Sequence, residues 1–427
     1  MERLRALHLV HDSPRVSSGC GGTERYVHAL AAFTGDPVMT RDRSHQAPLK
    51  KQDSDTYPLW VAAAPLPQRP RFRDHFCIPE MEAALDEVLL QERPDLLHIH
   101  HFAHLGFGMP EVAAARGVPV IFHLHDYQSI CTRGQLVDRH LNRCLGPDEA
   151  QCASCVLEHV RARPSLHVAG KLAEKLGIRA SARKLAAWGT PREPELRPIR
   201  ARFKATQSAF SHIDRFLSPS ANLADRMVNL GWIPSNKCFV EDLPLVAPIQ
   251  PTSRSPEHPF RILFIGSLIP TKGPQILLEA AEDLDAEVHF YGPCPSFDGQ
   301  PNWGSELIER IEHQSNTYYG GTFSDHERSK VYGGGDLLVL PSIWEENSPL
   351  VLREGLAAGL PAIVSDVGGM KEIAPNATRV KPDSVPELRK ALEQALAHGP
   401  NRHPPVDWPM PPHEQALQEH YRAVCKA

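Results

Sequence analysis

The sequence predicts an α/β protein made of two doubly wound, Rossmann-like halves. Three observations predict it. Short apolar runs alternate with helix-like patterns through the first half, the same alternation restarts after residue 260, and a proline-rich break lies between them. At 427 residues, with 41% hydrophobic and 23% charged side chains, the chain is too long for one typical core and long enough for two.

In order, residues 7–10, 96–100 and 118–123 are short apolar runs of strand length. Residues 79–91 and 110–116 read as helices, each opening on a proline suited to a first helical turn. A strand at 213–218 and a helix at 221–230 close the first half. Residues 244–259 then carry Pro244, Pro248, Pro251, Pro256 and Pro259, which break both periodicities and mark the linker. The expected divisions are 1–245, 260–400 and a tail, 401–427. The second half restarts with a strand at 260–266, a helix over 273–284 and a strand at 287–291. Two strand-helix units follow through 337–340 and 362–365. A helix at 386–398 and a proline-rich stretch at 400–412 lead to a last helix, 413–426. There Leu417, Tyr421 and Val424 share one face.

A net charge of −5 argues against a general nucleic-acid binder. No apolar run approaches a membrane span, and the start, Met1-Glu2-Arg3-Leu4-Arg5, leads into a strand-like run rather than a signal-peptide core. A cytoplasmic location is expected. Nine cysteines, an odd number, do not read as a secreted disulfide framework.

The densest chemistry lies in Pro341-Ser342-Ile343-Trp344-Glu345-Glu346-Asn347-Ser348-Pro349-Leu350-Val351-Leu352-Arg353-Glu354-Gly355. It follows a buried strand, and Pro349 suits the first turn of a helix running to about Ala358. The N–H groups of Ser348, Leu350 and Val351 would then lack intrahelical partners and favour a diphosphate. Glu354, one turn inside, suits a ribose, and Glu346 suits a sugar ring. Two glutamates alone would equally suit a solvated helix face. Gly266-Ser267 through Lys272-Gly273 follows a strand and opens a helix, the place of a phosphate-binding turn with Lys272 as cation. Gly21 and Gly22, in the segment Ser18 to Arg25 after the first strand, let a backbone approach a ligand closely. His125-Asp126 ends the strand at 118–123, and its imidazole can hydrogen-bond a sugar hydroxyl at neutral pH. The histidines at 98–101 show no clean metal spacing.

Cys131, Cys144, Cys152 and Cys155 fall within 25 residues and end in Cys-x2-Cys, which suits a structural thiolate zinc site pinning a long loop. Unligated thiols, an iron–sulfur cluster or a redox pair are the alternatives. Residues 161–204 hold twelve Lys or Arg against three Glu, a segmental charge of +9 in a chain of −5. A helix at 171–188 with Leu172, Leu176, Leu185 and Trp188 would lie on an anionic membrane, or equally form a solvated basic face.

The Glu346-to-Glu354 stretch, with Pro341-Ser342 before it and residues 359–372 after it, resembles the Glu-x7-Glu signature of retaining GT-B glycosyltransferases, in the bacterial group 1 (family four) branch. The resemblance implies two Rossmann-like domains facing across a cleft, with the C-terminal helix crossing back to the first. It implies a nucleotide-diphosphate sugar as donor, a carbohydrate or lipid-linked acceptor, retention of configuration and no catalytic metal. His125, Lys272 and Glu346 would be catalytic. Gly21, Gly22, Gly266, Ser267, Asn347, Ser348, Pro349, Leu350, Val351 and Glu354 would bind the donor. The family often has an arginine where Ser267 stands, so Lys272 and backbone dipoles would hold the diphosphate with less help. A subset of the family carries similar cysteines. A sugar-nucleotide epimerase, a sugar phosphorylase and a non-catalytic glycan-binding scaffold use the same fold. A nicotinamide dehydrogenase does not fit, because no Gly-x-Gly-x-x-Gly follows the first strand of either half.

Overall fold

A computed structural model describes residues 2–16, 21–42, 49–52, 55–63, 70–157, 192–250, 258–297 and 300–426. Among the described residues the first half holds eight strands: β1 (Ala6–Leu9), β2 (Val38–Asp42), β3 (Leu49–Gln52), β4 (Leu59–Ala63), β5 (Leu96–Ile99), β6 (Val120–His123), β7 (Arg215–Ser218) and β8 (Cys238–Val240). They lie in the order β3-β4-β2-β1-β5-β6-β7-β8, and only β3 runs antiparallel to its neighbour. The second half holds β9 (Arg261–Ile265), β10 (Glu287–Tyr291), β11 (Thr317–Gly321), β12 (Leu337–Leu340), β13 (Ala362–Ser365) and β14 (Thr378–Val380), all parallel, in the order β11-β10-β9-β12-β13-β14.

Strand order reverses beside β1 in one sheet and beside β9 in the other. Ligands of open α/β sheets bind at such reversals, outside the carboxyl ends of the strands. That end of β9 runs into Gly266, and that end of β12 runs into Pro341. The two strongest motifs therefore share one crevice because of topology.

Fully buried parallel strands were predicted where they occur, since β1, β5, β6, β12 and β13 bury every residue. β2, β3, β4, β8, β11 and β14 escaped the sequence reading. β2 ends in Arg41 and Asp42, and β3 is Leu-Lys-Lys-Gln, a charged edge of the kind that blocks pairing with another chain. The helix expected over 273–284 is shorter: a 3-10 turn, Pro270–Lys272, precedes the helix Pro274–Ala280. The chain turns at Asp283, whose φ of 58° no helix continues. The helix expected at 171–188, with Arg179, Arg183 and Lys184, lies outside the described residues. Among those described, the basic segment contributes the start of the helix Glu193–Ser211. No described helix is long and apolar enough to cross a membrane.

The last helix, Met410–Cys425, does cross back. Its Leu417, Tyr421 and Val424 pack with Ala6, Val10, Tyr26, Leu96 and Ile121 of the first half. The contact is sealed by Gln418, whose side chain accepts from Leu4 N–H and donates to Leu4 O, both at 2.9 Å. Leu417 is almost fully buried in this layer, so Leu417→Ala should destabilise the chain by about 2–5 kcal/mol through lost contact and a residual cavity. Urea unfolding of the variant measures it; a loss below about 0.5 kcal/mol would mean that the helix is not part of the first core.

Candidate active site

The turn after β9 packs directly on the end of β12. Gly273 has φ +75°, and a Cβ there would lie 2.1 Å from Pro341 O, so only glycine permits the approach. Ile343 N–H donates to Thr271 O (2.8 Å), which fixes the two loops together. In consequence Lys272 Nζ stands 3.2 Å from Glu346 Oε1. Glu346, 4% exposed, also accepts from Trp344 Nε1 (2.9 Å) and Ser342 Oγ (3.1 Å). Its backbone is clamped from behind: Gly369 N–H donates to Glu346 O (2.7 Å), and a Cβ on Gly368, at φ +66°, would lie 2.1 Å from that same oxygen. Two residues read separately from the sequence, Lys272 and Glu346, are thus an ion pair. Gly266 and Ser267 begin the same turn, half-buried.

The next helix is Leu350–Ala357, with Pro349 as its N-cap. Pro349 is thus one residue outside the helix rather than in its first turn. Leu350 and Val351 supply the first N–H groups, which have no carbonyl one turn back. Ser348 Oγ is engaged by Arg353 (3.0 Å to Nη2), a fully buried guanidinium that also pairs with Asp242 and stacks over Trp408 at 5.0 Å. Glu354 is 2% exposed. It accepts from Tyr332 OH (2.6 Å) and from Arg25 Nη2 (3.3 Å), with Arg328 Nε at 3.5 Å. Burial raises its pKa above the ordinary value, and the Arg25 charge and the Tyr332 hydrogen bond pull it back. Arg25, Arg328 and Tyr332 were not anticipated. Arg25 stood inside the quoted glycine segment, and the Gly-Gly-x-Glu-Arg order was the available signal.

On the facing wall, the helix Gly22–Thr34 starts inside the glycine pair, with Gly21 as N-cap and Gly21 N–H donating to Glu24 (2.7 Å). Gly22 abuts the second half: a Cβ there would sit 3.4 Å from Leu350 Cδ1. Asn347 Nδ2 donates to His125 O (3.0 Å), so another two predicted site residues bridge the cleft. Tyr127 OH (3.0 Å) and Arg143 (2.8 Å) both donate to Glu345. The His125 ring pairs through Nε2 with His100 Nδ1 at 3.2 Å. Burial pushes its pKa down to about 3, with the neighbouring His101 adding to the shift, so His125 is a neutral imidazole at working pH.

The four cysteines are reduced and half-buried. Burial lifts Cys152 to about 12 and Cys155 to about 11, and the charge of nearby sulfurs adds to both. Among the described residues, the groups whose ligand atoms converge within 4.8 Å are not the cysteines. They are His8 with His98 and His100, and His100 with His123 and His125. A single segment hid these histidine groups, because β1, β5 and β6 each contribute to them.

Two parallel sheets with their reversal points turned to one cleft, and a loop-to-helix junction opposite a glycine turn, define a GT-B type glycosyltransferase scaffold. Residues 21–240 match the family described as glycosyl transferase 4-like domain, and residues 247–405 match glycosyl transferases group 1. The chain belongs to the group 1 (family four) glycosyltransferases. Among solved structures it is similar to sucrose-phosphate synthase from Thermosynechococcus elongatus (TM-score 0.60, 14% identity, 99% of this chain and 94% of that one). It is equally similar to HepE of Anabaena in complex with UDP and glucose (TM-score 0.60, 14% identity, 99% and 97%). At that identity the likeness concerns the fold. Among curated relatives, a D-inositol 3-phosphate glycosyltransferase of Mycolicibacterium smegmatis is 31% identical over 111 residues, 26% of this chain. The sulfoquinovosyl transferase of Arabidopsis thaliana is 27% identical over 128 residues, 30% of this chain. The matched stretches span 25% and 23% of those proteins' own lengths.

Burial holds His98, His100 and His123 well below the ordinary value of 6.5, and His125 at about 3. Below pH 6.5 the unfolded chain therefore takes up protons that the folded chain refuses. Stability is full above that pH and falls as the solution is acidified, by roughly 1.4 kcal/mol per pH unit for each such histidine. Urea midpoints between pH 7.5 and 5 should drop steeply. A flat midpoint across that range would show that these rings charge freely when folded.

Proposed function

We propose that the protein transfers a glycosyl group from a nucleotide-diphosphate sugar to a carbohydrate or lipid-linked acceptor with retention of configuration. The observation that carries this reading is the apposition of Gly22 and Leu350, with the Lys272–Glu346 pair on the same crevice wall. A diphosphate held there meets the first N–H groups of a helix on one side and flexible glycine backbone on the other. The bond from the sugar's anomeric carbon to the diphosphate breaks, the acceptor oxygen bonds to that carbon on the same face, and the acceptor proton passes to the departing phosphate oxygen. The chain's residues position these groups and stabilise charge, and none becomes a covalent nucleophile. Lys272, paired with Glu346 before donor binds, shares its charge with the leaving diphosphate; Ser267, where the family often has an arginine, adds none. Gly266 turns the backbone toward the phosphates, Asn347 and Ser348 shape the crevice floor, and Glu354 takes the ribose hydroxyls. His125 contacts the transferred sugar. The first half carries the acceptor side, and the basic segment is the part suited to an anionic membrane on the cytoplasmic face. A nucleotide-diphosphate donor also fits an epimerase or phosphorylase, and product analysis with and without acceptor separates the three.

Glu354→Ala should weaken nucleoside diphosphate affinity about tenfold, the worth of one or two charged hydrogen bonds, while Glu346→Ala lowers turnover with little change in that affinity. Isothermal titration with the nucleotide alone, beside steady-state kinetics, reads both. Equal affinity losses in the two variants would contradict the assignment.

The cysteine loop is proposed to hold a structural zinc through Cys131, Cys144, Cys152 and Cys155. The support is the Cys-x2-Cys spacing together with four thiols near enough that, beside burial, the charge of neighbouring sulfurs raises Cys144, Cys152 and Cys155; the sulfurs do not all lie within 4.8 Å of one another, so binding would have to draw them together. When bound, the ion would ligate thiolates and pin the loop; all four ligands being protein, it would leave no position for chemistry. Elemental analysis of purified protein should find about one zinc per chain, and Cys152→Ser should remove it and lower the melting temperature. Metal-free protein of unchanged stability would refute the site.

A further inference from the structure

We propose that Asp36, His8 and His100 form a directed chain that fixes His125 as the tautomer protonated on Nε2, so that Nδ1 is an acceptor for a hydroxyl of the transferred sugar. The chain itself is independent of the transferase reading, and only the identity of the hydroxyl rests on it.

Parallel pairing of β1 with β5 sets His8 beside His98, and the alternation of side chains along the strand brings His100 to the same face. Pairing of β5 with β6 carries that face on to His123 and then His125. The ring nitrogens form one line. His8 Nδ1 is 3.0 Å from His100 Nε2 and His100 Nδ1 is 3.2 Å from His125 Nε2, both hydrogen-bond distances, while Asp36 Oδ2 stands 3.7 Å from His8 Nε2, a charge contact longer than a hydrogen bond. His8, His100 and Asp36 are each at most 1% exposed, so no bulk water relays these contacts.

Asp36 sets the direction. Its carboxylate is held by the Arg3 guanidinium (3.1 Å, Nη1 to Oδ1) and has no proton to donate. The ring nitrogen that faces it therefore carries hydrogen, since a lone pair at that place would meet a negative oxygen. A neutral imidazole has one N–H and one lone pair. With His8 neutral and Nε2 carrying its one hydrogen, Nδ1 must accept from His100 Nε2–H, and His100 Nδ1 must in turn accept from His125 Nε2–H; a doubly protonated His8 would reverse both links and leave the N–H on His125 Nδ1, an outcome the tautomer measurement distinguishes. The lone pair left over is on His125 Nδ1. Reversed, the same chain would turn a lone pair on Asp36 and an N–H on the sugar.

Neighbouring polar rings do not compete for these links. Tyr26 OH is spent on His413 Nε2 (2.7 Å), and His98 Nδ1 on Tyr421 OH (2.8 Å). His123 stacks on His125 at 4.7 Å, with no hydrogen-bond partner at either of its nitrogens among the described residues. It is thus a neighbour of similar burial outside the chain, and serves as the control. His8, His100 and Asp36 act through His125 and are positioning residues.

Nitrogen-15 NMR of histidine-labelled full-length protein, with His125→Gln to assign the resonances, reports the tautomer directly. The expected result is Nε2–H at His125 in the unmodified chain. Asp36→Asn, whose amide can donate, should shift His125 toward Nδ1–H. It should also lower kcat about tenfold, the worth of one hydrogen bond, with donor KM within about twofold. His123→Phe should leave tautomer and kcat unchanged. Nδ1–H at His125 in the unmodified protein, or a tautomer indifferent to Asp36→Asn, overturns the proposal. So does a transition metal found bound at His100 and His125, because a ligated nitrogen cannot pass the polarity on. If the tautomer behaves as expected but no donor supports transfer, the chain stands and the transferase reading falls.

Discussion

A carboxylate withdrawn from water must find partners or give up its charge, and Glu354 meets that constraint with groups from both halves of the chain. Tyr332 and Arg328 come from its own side of the cleft, and Arg25 comes from the other. The pair Arg25–Glu354 is one of several polar contacts between the walls. Glu372 caps the helix Ala221–Asn229 by accepting from Ala221 N–H (2.7 Å) and Asn222 N–H (2.8 Å), and Glu345 receives Tyr127 and Arg143. Contacts of this kind exchange readily with water and with ligand hydroxyls. An apolar seam would hold the walls together more firmly and would be harder to open for a substrate of this size.

The helix that presents the donor contacts is itself held by a buried cation. Arg353 reaches Asp242, two residues before the outward linker, and lies over Trp408 on the returning stretch. Both crossings of the chain between halves are thereby tied to the helix Leu350–Ala357. Removing Asp242 would leave a guanidinium without its counter-charge in a site with no exposure, the expensive way to break an ion pair.

Much of this was legible in the sequence, and the boundary has a physical form. Strands buried on both faces write themselves as unbroken apolar runs, and so β1, β5, β6, β9, β12 and β13 were read within a few residues. β3 is a charged edge strand and β2 ends in Arg41-Asp42, which erases the period, whereas β4, Leu-Trp-Val-Ala-Ala, is apolar and buried yet went unread, as did β8, β11 and β14. The site residues tied to one backbone segment, Glu346, Glu354 and Lys272, were found through their spacing. Their partners were not, because Arg25 lies 329 positions from Glu354 and only sheet order brings them together. The histidine line failed for the same reason: one strand shows His98 and His100, but the line needs β1 and β6 beside it.

The covering of the first sheet by the helix Met410–Cys425 also orders events during synthesis. Strand β1 emerges from the ribosome some four hundred residues before Leu417 and Tyr421, the groups that roof its inner face. Domains commonly fold as they are made, N-terminal first. Here Tyr26, Val27 and Leu30 already cover part of the layer around Ala6, Val10 and Leu96, and the rest of its cover waits while the entire second half is made. Its final closure is a late docking of the chain's own end. A nascent chain stalled anywhere in the second half would display the uncovered part of that apolar face to chaperones, however complete its strands.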